Sequence, residues 1–225
     1  MSSNRQRVPV VVLISGRGSN MRALVERSDN AEMGYEVVQV LSDAPAAPGL
    51  ELARDLGVAA RALTPYDSTE RAALERELAG AIDECAPALI VLAGFMRVLS
   101  ADFVARYAGR ILNIHPSLLP KFPGLHTHRR AIEAHETQTG ATVHFVTAQL
   151  DGGPAIIQAC VKVRPDDDAE SLAARVQTLE HRIYPLAVRW YCTGRLCYRD
   201  GLAWLDGTAL SAPIQYADLE ASGHH

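Results

Sequence analysis

Val8-Pro-Val-Val-Val-Leu-Ile14, followed at once by Ser15-Gly16-Arg17-Gly18-Ser19-Asn20, is the stretch that decides the fold. Its first seven residues are almost purely apolar and mostly β-branched, which suits a strand buried on both faces, as in a parallel sheet. The glycine-rich turn then opens a helical segment, Ser19 to Glu26. Strand, glycine turn and helix in that order begin a wound α/β unit.

Outward from there the alternation continues. Tyr35 to Leu41 reads as a strand. Pro48 to Leu56 reads as a helix presenting Leu50, Leu52 and Leu56, and Val58 to Leu63 as a short strand. Thr69 to Cys85 is a long amphipathic helix that Asp67 or Ser68 can cap. Ala88 to Ala93 is a strand, Ser100 to Tyr107 a helix capped by Ser100, and Ile111 to Ile114 a strand. The fold class is therefore α/β, a Rossmann-like, mostly parallel sheet with flanking helices.

The pattern changes after Pro116. Pro116, Pro120 and Pro123-Gly124 shape a loop, and a helix follows over His128 to His135. Thr142 to Val146 and Ala155 to Val163 read as strands joined by a turn at Asp151-Gly152-Gly153. Ala169 to Trp190 is helical, with an interruption or kink expected at Pro185. Arg195 to Tyr198 and Ala203 to Leu205 form a hairpin around Asp200-Gly201. The C-terminal part thus adds antiparallel strands and a long helix. We expect one domain over 1–225, with a nucleotide-binding half at about 8–115, a second half at about 116–210 and a mobile polar tail over 211–225.

Composition limits the function. Of 225 residues, 48% are hydrophobic and 21% charged, which excludes a wholly disordered chain. The net charge of −4 argues against a general nucleic-acid partner. Apolar runs such as Ala88 to Met96 fall far short of the ~20 residues that cross a bilayer, so no membrane partner is expected. Met1 to Arg7 is polar with no signal-type apolar stretch behind it. Cys85, Cys160, Cys192 and Cys197 are scattered and form neither a disulfide framework nor a four-ligand zinc set. A cytoplasmic location is the expectation.

Three groups of residues have the makings of a site. The turn Ser15 to Asn20 can present backbone N–H groups at a helix N-terminus to a phosphate. A dinucleotide is the alternative, since GxG opens that fingerprint, but Met21 stands where its third glycine belongs. Asp43, after the second strand, is loosely placed for a ribose. Asn113 and His115 alternate onto one face at the end of a buried strand, where one can donate to an oxyanion and the other can donate or shuttle a proton. Without a ligand they would be a hydrogen-bonded strand end. Leu150-Asp151-Gly152-Gly153-Pro154 would merely turn a hairpin unless it lies beside His115. His126 and His128 lack a third metal ligand at helical spacing, and loop or surface roles are expected for them. His144 lies near the site or is simply packed, and Glu180-His181 sits on the long helix. No metal is expected.

Taken together these residues resemble the glycinamide ribonucleotide formyltransferases, folate-dependent enzymes of purine synthesis. The resemblance covers Val10 to Leu210 and rests on LISGRGSN (Leu13 to Asn20), LAGFMRVLS (Leu92 to Ser100), AGRILNIHPSLLPKFPGLHTHRRA (Ala108 to Ala131), VHFVTAQLDGGP (Val143 to Pro154) and RVQTLEHRIYP (Arg175 to Pro185). It implies Asn113, His115 and Asp151 as catalytic residues. It implies ribonucleotide binding by Gly18, Ser19, Asn20, Gln177 and Glu180. Folate binding would fall to Met96, Arg97, Val98, Leu99, Asn113 and the turn Thr147, Ala148, Gln149, Leu150 and Asp151, with Arg71 on the pterin side. The co-substrate implied is 10-formyltetrahydrofolate and the partners are small molecules, the chain being a monomer or homodimer. The second half is then the folate and catalytic half. Methionyl-tRNA formyltransferase would carry a large basic C-terminal domain, against the net charge of −4. Formyltetrahydrofolate deformylase shares the Asn-His-Asp set but usually has an N-terminal regulatory domain, for which a first strand at Val8 leaves no room.

Overall fold

The computed structural model describes residues 7–63 and 71–222. Strands β1 (Val8–Ile14), β2 (Tyr35–Ser42), β3 (Ala60–Ala62), β4 (Leu89–Leu92) and β5 (Ile111–His115) lie parallel in the order β3-β2-β1-β4-β5. Helices α1 (Ser19–Ser28), α2 (Pro48–Asp55), α3 (Arg71–Cys85) and α4 (Ala101–Arg106) connect them. Ser100 caps α4 as expected, its hydroxyl accepting from Phe103 N–H. The caps expected at Asp67 or Ser68 lie outside the described residues.

The all-apolar β1 works because alternate side chains feed two cores. Val10, Val12 and Ile14 join one core, whereas Val11 and Leu13 join the other. All five are fully buried, and each contributes about 1.5–3 kcal/mol of apolar burial. From β1 the chain winds outward to β3 and returns to β4 on the other side. That reversal opens a crevice beyond the carboxyl ends of β1 and β4, the place where ligands bind in such sheets.

After β5 come α5 (Thr127–Glu133), β6 (Gln138–Phe145), β7 (Ala155–Lys162) and α6 (Ala169–Cys192). β6 runs antiparallel to β5 and β7 antiparallel to β6. β8 (Leu196–Arg199), β9 (Leu202–Leu205) and β10 (Thr208–Ala209) form a small antiparallel sheet that includes the expected hairpin.

Three local readings are corrected. β6 begins at Gln138 rather than Thr142, because Gly140 is a strand residue: a Cβ there would lie 1.9 Å from Ala159 O. α6 runs unbroken through Pro185. The proline removes one backbone donor, but its turn is anchored by the buried Ile183, Tyr184, Ala187 and Val188. The tail over 211–222 does not trail free: β11 (Ile214–Gln215) pairs parallel with β7, and α7 (Tyr216–Ser222) follows with Tyr216 buried, while 223–225 lie outside the described residues. Tyr216 joins the core there, Ile214 and Leu219 pack against it, and together they outweigh the polar composition around them. Among the described residues no helix is long and apolar enough to cross a membrane.

Candidate active site

The crevice holds a cavity of about 810 Å³ whose walls come from the start of α1, from the ends of β4, β5 and β6 and the loops after them, and from α6. At one end lies the glycine turn. Gly18 has φ 77° at the N-terminus of α1, where a Cβ would press on Met21 Cε at 3.0 Å and Gly49 Cα at 3.1 Å. No side chain caps α1, so its first N–H groups are free to meet an anion. Gly49 N–H donates to Gly16 O at 3.0 Å and fixes the turn from α2. A Cβ on Gly49 would fall 2.5 Å from Ile14 Cδ1 and 2.8 Å from Gly16 O. Sequence reading missed this glycine, because its constraint comes from a segment distant in sequence.

Two residues of α6 face this turn. Gln177 Nε2 donates to Ser19 Oγ at 2.9 Å, and Asn20 Nδ2 donates to Glu180 Oε2 at 2.7 Å. Glu180 is 8% exposed. Burial pushes its carboxyl above the usual range, partly opposed by the Asn20 bond. Asn20 Oδ1 is buried with no partner. Asn20 and Glu180 line the cavity.

At the far end Met96, Arg97, Val98 and Leu99 follow β4, and Thr147 to Asp151 follow β6. Met96, Val98 and Leu150 are 62%, 58% and 56% exposed, an apolar mouth open to solvent. Arg71 lies apart from this cavity. It borders a smaller one of about 210 Å³ that shares Phe95, Arg97, Val98 and Leu99 with the first. The structure therefore brings together every expected folate-side residue except Arg71.

Asn113, His115 and Asp151 meet between these ends. Asn113 pairs with His144 across the β5–β6 ladder, and their side chains bond, Asn113 Nδ2 lying 3.1 Å from His144 Nε2. His144 Nδ1 lies 2.8 Å from Phe145 O and must be the donor, since a carbonyl only accepts. The neutral ring then accepts from Asn113 at Nε2. That fixes the amide's orientation and leaves its second N–H for the cavity. Burial pushes His144 below its ordinary value, and nearby His115 adds to the shift.

His115 Nε2 is 2.9 Å from Phe122 O, and its Nδ1 is 3.4 Å from Asp151 Oδ2. Both ring nitrogens thus face acceptors, an arrangement that suits an imidazolium beside a carboxylate. Asp151 Oδ2 also accepts Gly124 N–H at 2.8 Å, and its Oδ1 lies 3.8 Å from His144 Nε2. Asp151 has φ 49°. The next residues must pass close to β6, because a Cβ on Gly153 would lie 1.8 Å from Phe145 O. The Asp-Gly-Gly run is therefore needed for its backbone as much as for the carboxylate.

The loop delivering Phe122 O and Gly124 N–H is held from beneath. Thr142 Oγ1 donates to Ser117 O at 2.7 Å and accepts from Leu119 N–H at 3.1 Å; Gln158 Nε2 donates to Leu119 O at 2.8 Å. Both side chains are buried strand residues that sequence reading passed over. His126, exposed in the loop before α5 as expected, and the partly buried His128 both line the cavity. Burial pushes half-buried His128 below its ordinary value, with His115 adding to this. Asp43 does not offer a carboxylate for a ribose: Ser15 Oγ and Arg97 Nε occupy its two oxygens. Among the described residues no cluster of three or more His, Cys, Asp or Glu side chains is arranged to hold a metal ion.

The sequence profile of the formyl transferases matches residues 8–188. The chain belongs to the formyl transferase family. Among its relatives is the phosphoribosylglycinamide formyltransferase of Escherichia coli K12, 51% identical over 208 residues that cover 92% of this chain and 98% of that one. The human trifunctional purine biosynthetic protein adenosine-3 is 37% identical over 193 residues, 86% of this chain and 19% of that protein. The solved phosphoribosylglycinamide formyltransferase of Coxiella burnetii superposes with a TM-score of 0.87 at 42% identity, covering 93% of this chain and all of that one. A formyltetrahydrofolate deformylase from Burkholderia mallei gives 0.80 at 28% identity, over 89% of this chain and 70% of that one. This formyl transferase thus carries the Rossmann-like fold of its solved relatives.

Proposed function

We propose that the chain transfers the formyl group of 10-formyltetrahydrofolate to the amine of glycinamide ribonucleotide. The convergence of Asn113, His115 and Asp151 on one wall, between an anion turn and an apolar mouth, carries the reading. The ribonucleotide phosphate sits at Gly18, Ser19 and Asn20, with Glu180 and Gln177 recognising the rest of the molecule. The folate lies against Met96, Arg97, Val98 and Leu99 and the turn Thr147 to Asp151.

The amine nitrogen attacks the formyl carbon, and charge grows on the formyl oxygen. The free N–H of Asn113 and the charge of His115 stabilise that oxygen; one such donor is worth roughly 100- to 1,000-fold in rate. Asp151, whose Oδ2 faces His115 Nδ1 at 3.4 Å, carries the proton from the attacking amine to N10 of the folate as the carbon–N10 bond breaks. Formylated ribonucleotide and tetrahydrofolate leave. The apolar walls limit water, whose attack on the formyl group competes. No step calls for a metal from these residues. The partners are these two small molecules, and the surroundings we propose are cytoplasmic.

The test mixes the chain with 10-formyltetrahydrofolate, with and without glycinamide ribonucleotide, and follows deformylated folate by absorbance. Ribonucleotide-dependent release supports the transferase. Release without ribonucleotide identifies a deformylase, and no release in either arm sinks the reading.

A further inference from the structure

Asp43 is a buried carboxylate beside the active-site cavity but outside it. It follows β2, its side chain is 7% exposed, and it does not line the cavity. Its Oδ1 accepts the Ser15 hydroxyl at 2.5 Å and its Oδ2 accepts Arg97 Nε–H at 2.9 Å. Ser15 has one hydroxyl proton, given to Asp43, so its oxygen is free to accept Met96 N–H at 2.8 Å. Ser15 N–H also donates to Gly94 O at 3.1 Å. These bonds close a circuit: Asp43 to Ser15, Ser15 to Met96, along the chain to Arg97, and back to Asp43. It joins the ends of three neighbouring strands, β1, β2 and β4.

Core packing holds this segment at Phe95 and Leu99, each 9% exposed, but not between them. Met96 and Val98 stand 62% and 58% exposed, so core packing does not fix them. At its start Gly94 has φ 75°, and its carbonyl accepts Ser15 N–H at 3.1 Å. Its far end is tied separately, Ser100 N–H donating to Glu75 Oε1 at 2.6 Å. Between Phe95 and Leu99 the bonds to Ser15 and Asp43 hold the Met96 N–H and the side chain of Arg97.

We propose that Asp43 is a positioning residue for the folate-side segment Gly94 to Leu99, latching it to the first residue of the phosphate turn. Asp43 touches neither substrate and acts through Ser15 and Arg97. The proposal rests on the reading of that segment as the folate wall, and its consequence is a higher KM for the folate with little change in chemistry.

Two measurements on the full chain separate the latch from the functional reading. The first needs no turnover: hydrogen exchange over 94–98 in wild type, Asp43→Asn and Asp43→Ala. Asp43→Ala should speed exchange of the Met96 amide by about tenfold or more at a nearly unchanged melting temperature. Unchanged exchange overturns the latch. The second is steady-state kinetics. Asp43→Ala should raise KM for formyl-folate about tenfold, the low end for a lost charge-assisted hydrogen bond, while kcat and the ribonucleotide KM stay within about twofold. Asp43→Asn keeps an acceptor for Ser15 but loses the pairing with Arg97, and should fall between. Equal rises in both KM values overturn the positioning role. A wild type without formyl transfer overturns the functional reading alone, leaving the exchange result to decide the latch.

Discussion

Replacing Glu180 by Gln should make the protein more stable and its ribonucleotide binding worse. Glu180 is 8% exposed, and among the described residues it accepts one hydrogen bond, from Asn20 Nδ2 at 2.7 Å. Desolvating a carboxylate in a folded protein costs several kcal/mol, and one bond to a charged acceptor returns about 1.5–3 kcal/mol. The balance is unfavourable, in line with a carboxyl raised above its ordinary value of 4.5 by burial. A group whose folded value is raised holds its proton more tightly in the folded state. Its contribution is fully present below the unfolded value of 4.5 and is lost as pH rises through the folded value. Gln removes the charge and supplies an N–H for the unpartnered Asn20 Oδ1. We expect about 1–2 kcal/mol of stabilisation at neutral pH, or roughly 2–8 °C in Tm for a chain of this size. The gain should shrink towards zero near pH 4. Calorimetry of both forms across that range measures it, and kinetics should show a ribonucleotide KM raised about tenfold or more, as a charged hydrogen bond to the substrate is lost. A Gln variant that is less stable at neutral pH, or whose gain is the same at every pH, refutes the reasoning.

Three further outcomes are expected. Asp151→Asn should lower kcat by about 100-fold or more with little change in Tm, since the amide keeps the shape but not the charge facing His115; an unchanged rate would reduce Asp151 to a turn residue. His144→Leu should lower kcat about tenfold or more while both KM values hold, because Asn113 loses the acceptor that orients its amide. The neutral His144 also stabilises the fold above its ordinary pKa of 6.5, a contribution lost as pH falls through its lowered folded value; the Tm gap between wild type and the variant should narrow in acid. Gly153→Ala should destabilise by about 3 kcal/mol or more in urea unfolding, because its Cβ would lie 1.8 Å from Phe145 O.

Much of the architecture is written in local pattern. The buried alternation of β1, the Pro48 and Ser100 helix starts and the Asp200-Gly201 hairpin each follow from their own residues. Local pattern failed where distant segments decide. A strand start before Thr142 is missed until Ala159 O is seen against Gly140, and the interruption or kink expected at Pro185 gives way to an unbroken helix among buried neighbours. The candidate site divides the same way. Asn113, His115 and the Asp-Gly-Gly turn carry side-chain chemistry at a strand end and can be read directly. Gly49, Thr142, Gln158 and His144 act by supporting other groups, and nothing in their own sequence neighbourhood announces that. Asp43 was legible as a carboxylate after the second strand but not as a partner of Arg97, which lies 54 residues away.

The central claim is that this cavity moves a formyl group from folate to ribonucleotide. Incubating the chain with 10-formyltetrahydrofolate bearing an isotope-labelled formyl group, plus glycinamide ribonucleotide, and weighing the products by mass spectrometry tests it most directly. The account predicts that the label appears on the ribonucleotide, in step with tetrahydrofolate formation, and that His115→Ala all but abolishes the transfer. Label released as free formate at the same rate, with the ribonucleotide unmodified, would contradict it.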